Sequence, residues 1–290
     1  MKKTLFTGVC TALVTPFIDG KVNYPMLKVL IKRQIDAGVK AIVLCGTTGE
    51  APTLSDREKI EIFTAGKEVA GTDCQIIAGT GSNSTAHTIE LSQAAQQAGA
   101  DGILAVAPYY NKATPDGLYT HYRSIAQSIK IPLIIYNVPS RTGVDIPVSV
   151  YRELSKMQNI AGVKEASTDI VKVLRIKNTC APDFSIWTGN DDMTVPVISI
   201  GGQGVISVAS NVCPSQMVSM TTAALNEDFE TAGQIQCALQ PLIDLLFCEV
   251  NPIPVKAALN CLGYDCGGHR LPLTEPSAEH YQKIRKYFTT

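Results

Sequence analysis

One lysine of this chain stands at the end of a short apolar run, where a charged side chain is costly to bury. Lys164 closes residues 160–164. Burial disfavours the ammonium form of a lysine, and a neutral amine in a dry pocket is what Schiff-base chemistry on a carbonyl needs. The alternative is an ion pair with Glu165 or with an acid from a neighbouring strand. The position indicates a nucleophilic lysine and leaves the ion pair open.

Hydroxyl-bearing residues end or follow three other apolar runs: Thr47, Thr48, Tyr109, Tyr110 and Tyr136. A phenol hydrogen-bonded to a threonine can relay protons while an imine forms and hydrolyses. Packing alone is the alternative role for an aromatic residue at a strand end. Arg141 follows a turn-forming Pro-Ser pair, so it suits either a substrate carboxylate or a solvated loop charge.

These residues can share a site only if the fold brings the ends of the runs together. Eight apolar, β-branched runs predict eight strands, at residues 8–14, 41–45, 75–78, 102–107, 132–136, 160–164, 184–188 and 204–208. Most are continuous rather than alternating, as strands covered on both faces are. Helical patterns fill the gaps, and a capping box of Ser55 and Glu58 opens one of them. The alternation predicts a TIM (β/α)8 barrel, whose active site lies at the carboxyl ends of the strands.

The barrel pattern ends near Asn226, and three helical patterns follow at residues 228–246, 254–262 and 277–288. We therefore expect a catalytic barrel domain over residues 1–226 and a small C-terminal helical domain over residues 227–290.

Two segments of the sequence resemble features that we do not expect here. The start of the chain resembles a secretion signal, but its apolar run is short and lacks a cleavage site, so it predicts a first buried strand. Residues 193–226 carry no charge, yet Pro and Gly interrupt them, which predicts a buried strand with tight turns rather than a membrane span.

Composition and charge exclude several classes of protein. Of the 290 residues, 45% are apolar, and the net charge is -1 with a pI of about 6.4. This balance argues against nucleic acid or an anionic membrane as a main partner. Nine cysteines without a CxxC pair indicate a reducing compartment, and four scattered histidines suggest no metal site. The glycine-rich turns at 79–82 and 201–204 fit neither Walker nor dinucleotide spacing, so we expect no cofactor.

The motifs around these residues resemble those of the dihydrodipicolinate synthase family, almost from end to end. They are Gly46-Thr47-Thr48-Gly49-Glu50, Pro108-Tyr109-Tyr110-Asn111, the run from Tyr136 to Gly143, Gly162-Val163-Lys164-Glu165-Ala166-Ser167, Gly204-Val205-Ile206-Ser207 and the run from Asn251 to Lys256. The resemblance implies a lyase of the pyruvate-dependent class I aldolase type. Lys164 would form a Schiff base with pyruvate, and the enamine would attack L-aspartate 4-semialdehyde. Cyclisation would give 4-hydroxy-tetrahydrodipicolinate, on the route to diaminopimelate and lysine.

The resemblance also implies roles for individual residues. It assigns a proton relay to three of them: Thr47, Tyr110 and Tyr136. Tyr110 would reach in from a neighbouring subunit of a cytoplasmic homotetramer built from tight dimers. Thr48, together with the relay threonine, would hold the pyruvate carboxylate, and Arg141 would bind that of the semialdehyde. Gly189 and the carbonyl of Ile206 would line the pocket.

Lysine-inhibited members of that family bind lysine through positions that match six residues here: Ala51, Asp56, Lys59, Asn83, His87 and Tyr109. By this resemblance His87 stands where sensitive enzymes tend to have a glutamate, and Lys59 where they tend to have histidine or glutamate. A lost carboxylate and an added cation weaken the binding of a cationic amino acid. We therefore expect weak or absent inhibition by lysine.

Two other functions remain open at this point. N-acetylneuraminate lyase and keto-deoxy sugar-acid aldolases share the lysine and the pyruvate pocket but act on another second substrate. Thr47, Thr48 and Arg141 favour the synthase, because a sugar acid calls for a mouth that matches hydroxyl groups. A barrel that binds a keto acid without turning it over is the alternative from another class, but a binder has no need of a buried amine.

Overall fold

Eight parallel strands close into a barrel in the computed structural model, which describes residue 2 and residues 4–289. The barrel strands are β1 (Gly8–Ala12), β4 (Ala41–Leu44), β5 (Gln75–Gly79), β6 (Gly102–Val106), β7 (Leu133–Asn137), β8 (Ile160–Glu165), β9 (Ser185–Thr188) and β10 (Gly204–Ser207), and a short antiparallel hairpin is formed by β2 (Phe17–Ile18) and β3 (Lys21–Val22). Each barrel strand pairs with its sequence neighbour, and β1 pairs with both β4 and β10. The predicted (β/α)8 barrel is confirmed, with strand bounds shifted by up to two residues.

Helices follow the strands and cover the barrel from outside. They are α1 (Tyr24–Asp36), α2 (Asp56–Ala70), α3 (Thr85–Gln97), α4 (Pro115–Ser128), α5 (Pro139–Thr142), α6 (Val148–Leu154), α7 (Ile170–Thr179), α8 (Thr194–Ser199), α9 (Pro214–Leu225), α10 (Phe229–Leu246), α11 (Ile253–Cys261) and α12 (Ala278–Thr289). The predicted capping box at the start of α2 is present, with Ser55 and Glu58 each bonded to the other's backbone. The three predicted C-terminal helices are present as α10, α11 and α12.

The interior of the barrel is packed at its amino-terminal side, which leaves the opposite end for a site. Phe6 stacks on the indole of Trp187 with ring centroids 4.7 Å apart, and the indole N–H donates to the Phe6 carbonyl. Lys2 holds the beginning of the chain there through its backbone N–H, which donates to Asp183. Residues 1 and 3 belong to the segment that resembles a secretion signal, and they lie outside the described part of the chain.

The charge-free stretch 193–226 differs from its prediction. It holds the predicted strand β10, but helices α8 and α9 occupy most of the rest rather than turns. Both helices pack against α10, and their exposed polar positions are filled by uncharged residues such as Ser199, Gln216 and Ser219. No helix in the described part of the chain is long and apolar enough to cross a membrane.

Candidate active site

Lys164 on β8 and Tyr136 on β7 are direct register partners at the carboxyl ends of adjacent strands. The lysine is 6% exposed, and its Nζ lies 4.3 Å from the centroid of the Tyr136 ring. Side chains alternate along a strand, so Glu165 faces the surrounding helices. There it accepts a hydrogen bond from Asn137 and pairs with Lys172. The alternative ion pair between Lys164 and Glu165 is therefore wrong.

Among the described residues, no carboxylate lies within 4.0 Å of the Lys164 ammonium. Asp191, which follows the neighbouring strand β9, interacts electrostatically with Lys164, but its carboxylate is hydrogen-bonded to other groups. It accepts the backbone N–H groups of Val208 and Ala209 at 2.9 and 3.1 Å. Burial raises the pKa of Asp191, while hydrogen bonds from Ser207 and these amides oppose the rise. Sequence reasoning missed this aspartate, although the acidic pair after β9 was a signal for it.

Gly189 follows the end of β9 beside the lysine, and Ile206 lies in β10, the next strand of the barrel. A Cβ on Gly189 would come within 2.8 Å of Lys164 Cε and 2.7 Å of Ala166 Cβ. Ile206 is fully buried inside the barrel. Neither residue is among those that line the cavity described below, so their role in lining the substrate pocket stays a prediction.

The turn 46–50 after β4 presents the two threonines. Thr47 is half-buried, whereas Thr48 is 3% exposed and its Oγ1 accepts a hydrogen bond from Asn251 Nδ2 at 3.0 Å. Two residues with a left-handed backbone flank the threonines: Cys45, which precedes the turn, has a φ of 54°, and Glu50, which ends it, has a φ of 55°. Asn251 was not predicted as a site residue, and its Oδ1 has no hydrogen-bond partner in the described part of the protein.

A cavity of about 800 Å³ opens in front of this turn and is lined by Thr47, Tyr136 and Arg141. Lys164 is not part of the lining, since it lies against the Tyr136 ring. Arg141 is an exposed residue of α5, and its guanidinium donates a hydrogen bond to the Asn251 carbonyl at 3.4 Å. The structure therefore places a cation at the mouth, a phenol in the wall and an amine beside that phenol.

Tyr110 stands apart from the other predicted relay residues. Its side chain is 86% exposed, and its backbone has a φ of 72°, in the left-handed region that non-glycine residues rarely adopt. Within one chain, the structure therefore brings together Lys164, Tyr136 and the threonine turn but leaves this tyrosine in solvent.

A family model described as the Dihydrodipicolinate synthetase family matches residues 5–290. The chain belongs to this family. It is 45% identical over 286 residues to a 4-hydroxy-tetrahydrodipicolinate synthase from Acetivibrio thermocellus, covering 99% of this chain and 97% of the relative. It also matches the crystal structure of a dihydrodipicolinate synthase from Aquifex aeolicus with a TM-score of 0.96 and 43% identity, covering 98% of this chain and 97% of that one. A third match is a dihydrodipicolinate synthase from Cyanidioschyzon merolae with lysine bound, at TM-score 0.96 and 40% identity, covering 99% of this chain and 98% of that one.

The six residues noted as a possible lysine site of this dihydrodipicolinate synthetase family member line the same cavity, farther from Lys164. They are Ala51, Asp56, Lys59, Asn83, His87 and Tyr109. Asp56 is the centre of their polar contacts, since it lies 2.7 Å from His87 Nε2 and 3.4 Å from Lys59 Nζ. Burial would raise the pKa of Asp56, but the hydrogen bond from His87 and the charge of Lys59 bring it below its ordinary value. The aspartate is thus already paired with two residues of the cluster.

Proposed function

We propose that this member of the family is a 4-hydroxy-tetrahydrodipicolinate synthase that works through a Schiff base on Lys164. The observation that carries the proposal is the placement of Lys164, which is buried at the carboxyl end of a barrel strand and lies against the Tyr136 ring. No carboxylate of residues 2 or 4–289 lies within 4.0 Å of its ammonium. An amine held in this way is not engaged in a close ion pair, so its Nζ is available to act as a nucleophile.

The reaction follows from the chemistry of an imine. Lys164 Nζ attacks C2 of pyruvate, and loss of water gives the Schiff base. Loss of a proton from C3 gives an enamine, whose C3 attacks the aldehyde carbon of L-aspartate 4-semialdehyde. The α-amino group of the semialdehyde then attacks C2, closes the ring and releases Lys164. Each step moves a proton, and the proximity of the Tyr136 ring to the lysine supports this phenol as the group that carries it.

Carboxylate binders at two ends of the cavity fit two anionic substrates. Thr47 and Thr48, in the tight turn after β4, bind the pyruvate carboxylate through hydroxyl and backbone N–H groups. Arg141 stands at the mouth and binds the carboxylate of the semialdehyde, because a guanidinium can pair with it through two hydrogen bonds. The family relationship supports both assignments.

The proton relay is completed by Tyr110 from a neighbouring subunit. Its 86% exposure and left-handed backbone support this role, because a tyrosine projected from the surface in a strained conformation is suited to enter another chain. The working unit is therefore at least a dimer, and we extend this to a homotetramer. Val171 and Leu174, 48% and 40% exposed on one face of α7, support a second contact between dimers. Nine unpaired cysteines support a cytoplasmic location.

The experiment that tests the function has two arms. Borohydride reduction in the presence of pyruvate, followed by peptide mass spectrometry, should find the adduct on Lys164. Turnover of pyruvate with L-aspartate 4-semialdehyde should exceed turnover with N-acetylmannosamine or a sugar aldehyde. An adduct on another lysine, or none, would refute the Schiff-base assignment. An adduct on Lys164 with the reverse substrate preference would instead identify a sugar-acid aldolase.

A further inference from the structure

A buried ion pair joins the threonine turn to α11, and the reaction proposed above does not use it. The side chains of Glu50 and Lys256 are both 0% exposed, and Lys256 Nζ lies 2.8 Å from Glu50 Oε1. The same ammonium donates to the Gly268 carbonyl and lies 4.3 Å from the centroid of the Phe17 ring. Replacing a buried ion pair by apolar residues often leaves stability unchanged or higher. Stability alone therefore does not account for an ion pair at this place.

Glu50 occupies a backbone position that disfavours any side chain. Its φ of 55° lies in the left-handed region, where glycine is the residue without a penalty. Its N–H donates to the Thr47 carbonyl at 3.1 Å, and its own carbonyl accepts the Thr53 N–H at 3.0 Å. Because Glu50 closes the turn over Thr48, the anchoring of its carboxylate determines where both threonines stand.

Two more contacts from the C-terminal part of the chain reach the same turn. The backbone N–H of Arg270 donates to Glu50 Oε2 at 3.2 Å, and Asn251 Nδ2 donates to Thr48 Oγ1 at 3.0 Å. Lys256 lies between these residues in sequence and provides the cation. Three contacts from residues 251–270 thus converge on a five-residue turn at the cavity.

We propose that Lys256 is a positioning residue, which through Glu50 holds Thr47 and Thr48 in the arrangement that binds the pyruvate carboxylate. The inference rests on the function proposed above and adds to it a role for the C-terminal helices. Lys256 touches no substrate, so its removal acts on pyruvate binding through the turn. A displacement of a binding group by about 1 Å can lower catalytic efficiency by about 100-fold.

The test uses the full chain and the variants K256M, E50Q and E50Q/K256M. K256M alone leaves a buried carboxylate without its cation, so the double variant, which buries no charge at this place, carries the test. We expect the double variant to melt within about 5 °C of the unmodified protein. The pyruvate concentration that half-saturates borohydride trapping on Lys164 should rise about tenfold or more, together with KM for pyruvate, whereas kcat at saturating pyruvate changes less.

A matched control is Q34M, since Gln34 is also fully buried and accepts a hydrogen bond from Thr11 at 2.8 Å, but lies on α1 away from the cavity. It should lower the melting temperature without changing half-saturation by pyruvate. Half-saturation in the double variant equal to that of the unmodified protein would overturn the positioning role, and so would an equal shift in Q34M. Failure of the proposed function itself is distinguishable, because the unmodified protein would then give no adduct on Lys164 at any pyruvate concentration.

Discussion

Lys164 Nζ lies 4.3 Å from the centroid of the Tyr136 ring, and the two residues are register partners on adjacent parallel strands. The next pair along, Asn137 and Glu165, is joined by a hydrogen bond of 2.8 Å on the outer side of the barrel. That bond fixes the register of the two strand ends, so the amine and the phenol keep their separation. The site therefore depends on strand pairing rather than on a mobile loop.

Removal of the amine should abolish the covalent intermediate. K164M keeps an unbranched side chain of similar length, so we expect a folded protein with no borohydride-trapped pyruvate and a kcat lowered by about 10³-fold. Lys177, which is exposed and donates to the Gly201 carbonyl, offers a matched control. K177M should retain the adduct and the rate. A trapped adduct in K164M would contradict the assignment.

Crowding the lysine from the next strand should impair its chemistry without removing it. In G189A the new methyl group would meet Lys164 Cε at 2.8 Å, closer than carbon atoms in proteins approach, so the lysine must move. We expect a loss of about 10²-fold in kcat/KM, measured by steady-state kinetics. Gly233 in α10 has open space around its Cβ position, so G233A should leave the rate unchanged and stabilise the protein by about 0.5–1 kcal/mol. Equal rates in both variants would show that Lys164 tolerates displacement.

The barrel and the position of Lys164 could be predicted from the sequence because both depend on local pattern. Continuous apolar runs at regular intervals specify buried parallel strands, and a lysine at the end of one stands out. Asn251 and Lys256 could not be found in this way, since their partners Thr48 and Glu50 lie 203 and 206 residues away. The sequence suggests that the C-terminal helices are a separate appendage. In the folded chain, Asn251 and Lys256 from this part contact the turn that carries the threonines.

The difference in burial between residues of the same type could not be predicted from the sequence either. Tyr136 lies near the end of β7 and Tyr110 in the loop after β6, and the first is 6% exposed whereas the second is 86% exposed. In the loop after β6, the left-handed backbone of Tyr110 directs its side chain outward. No pattern of residue types in the sequence predicts this conformation. Helices α8 and α9 were missed because the stretch 193–226 carries no charge and most of its polar residues are small serines and threonines, so the contrast between polar and apolar faces that reveals a helix is weak there.

The proposal that Tyr110 is shared between subunits predicts complementation between two variants. Y110F and K164M should each be nearly inactive alone, because one lacks the relay and the other the amine. In a mixed dimer, the site with an intact lysine receives an intact tyrosine from its partner. Denaturing and refolding the two together at equal amounts should restore about one quarter of the activity, since about half of the dimers are mixed and each has one complete site. Absence of any restored activity would place Tyr110 in the site of its own chain or outside the mechanism.

The ion pair between Glu58 and Arg270 should make stability depend on pH. Hydrogen bonding to the Arg270 guanidinium lowers the pKa of Glu58 from 4.5 to about 2. Because the pKa is lowered on folding, the contribution is complete above about pH 5 and is lost as the pH falls toward 2. E58Q retains the capping box and should lower the free energy of unfolding by about 1 kcal/mol at pH 7, an amount discounted for solvent screening.

The difference between E58Q and the unmodified protein should shrink as the pH falls from about 5 toward 2, measured by urea unfolding at each pH. Glu279 provides a control, since it pairs with Lys283 on the exposed face of α12. Lys283 also lowers the pKa of Glu279, but this pair is open to solvent, so E279Q should show a much smaller trend. A difference for E58Q that stays constant with pH would assign the loss to packing rather than to the charge.

Inhibition by lysine should be weak, because the cluster around Asp56 repels a cationic amino acid. Asp56 is already paired with His87 and Lys59, so its carboxylate is not free for a ligand ammonium. We expect half-inhibition by L-lysine only above about 1 mM. The double variant H87E/K59H removes the added cation and supplies a carboxylate facing the cavity. Its half-inhibiting concentration should fall by about tenfold or more in the same steady-state assay, while sub-millimolar inhibition of the unmodified protein would show that the cluster tolerates lysine as it stands.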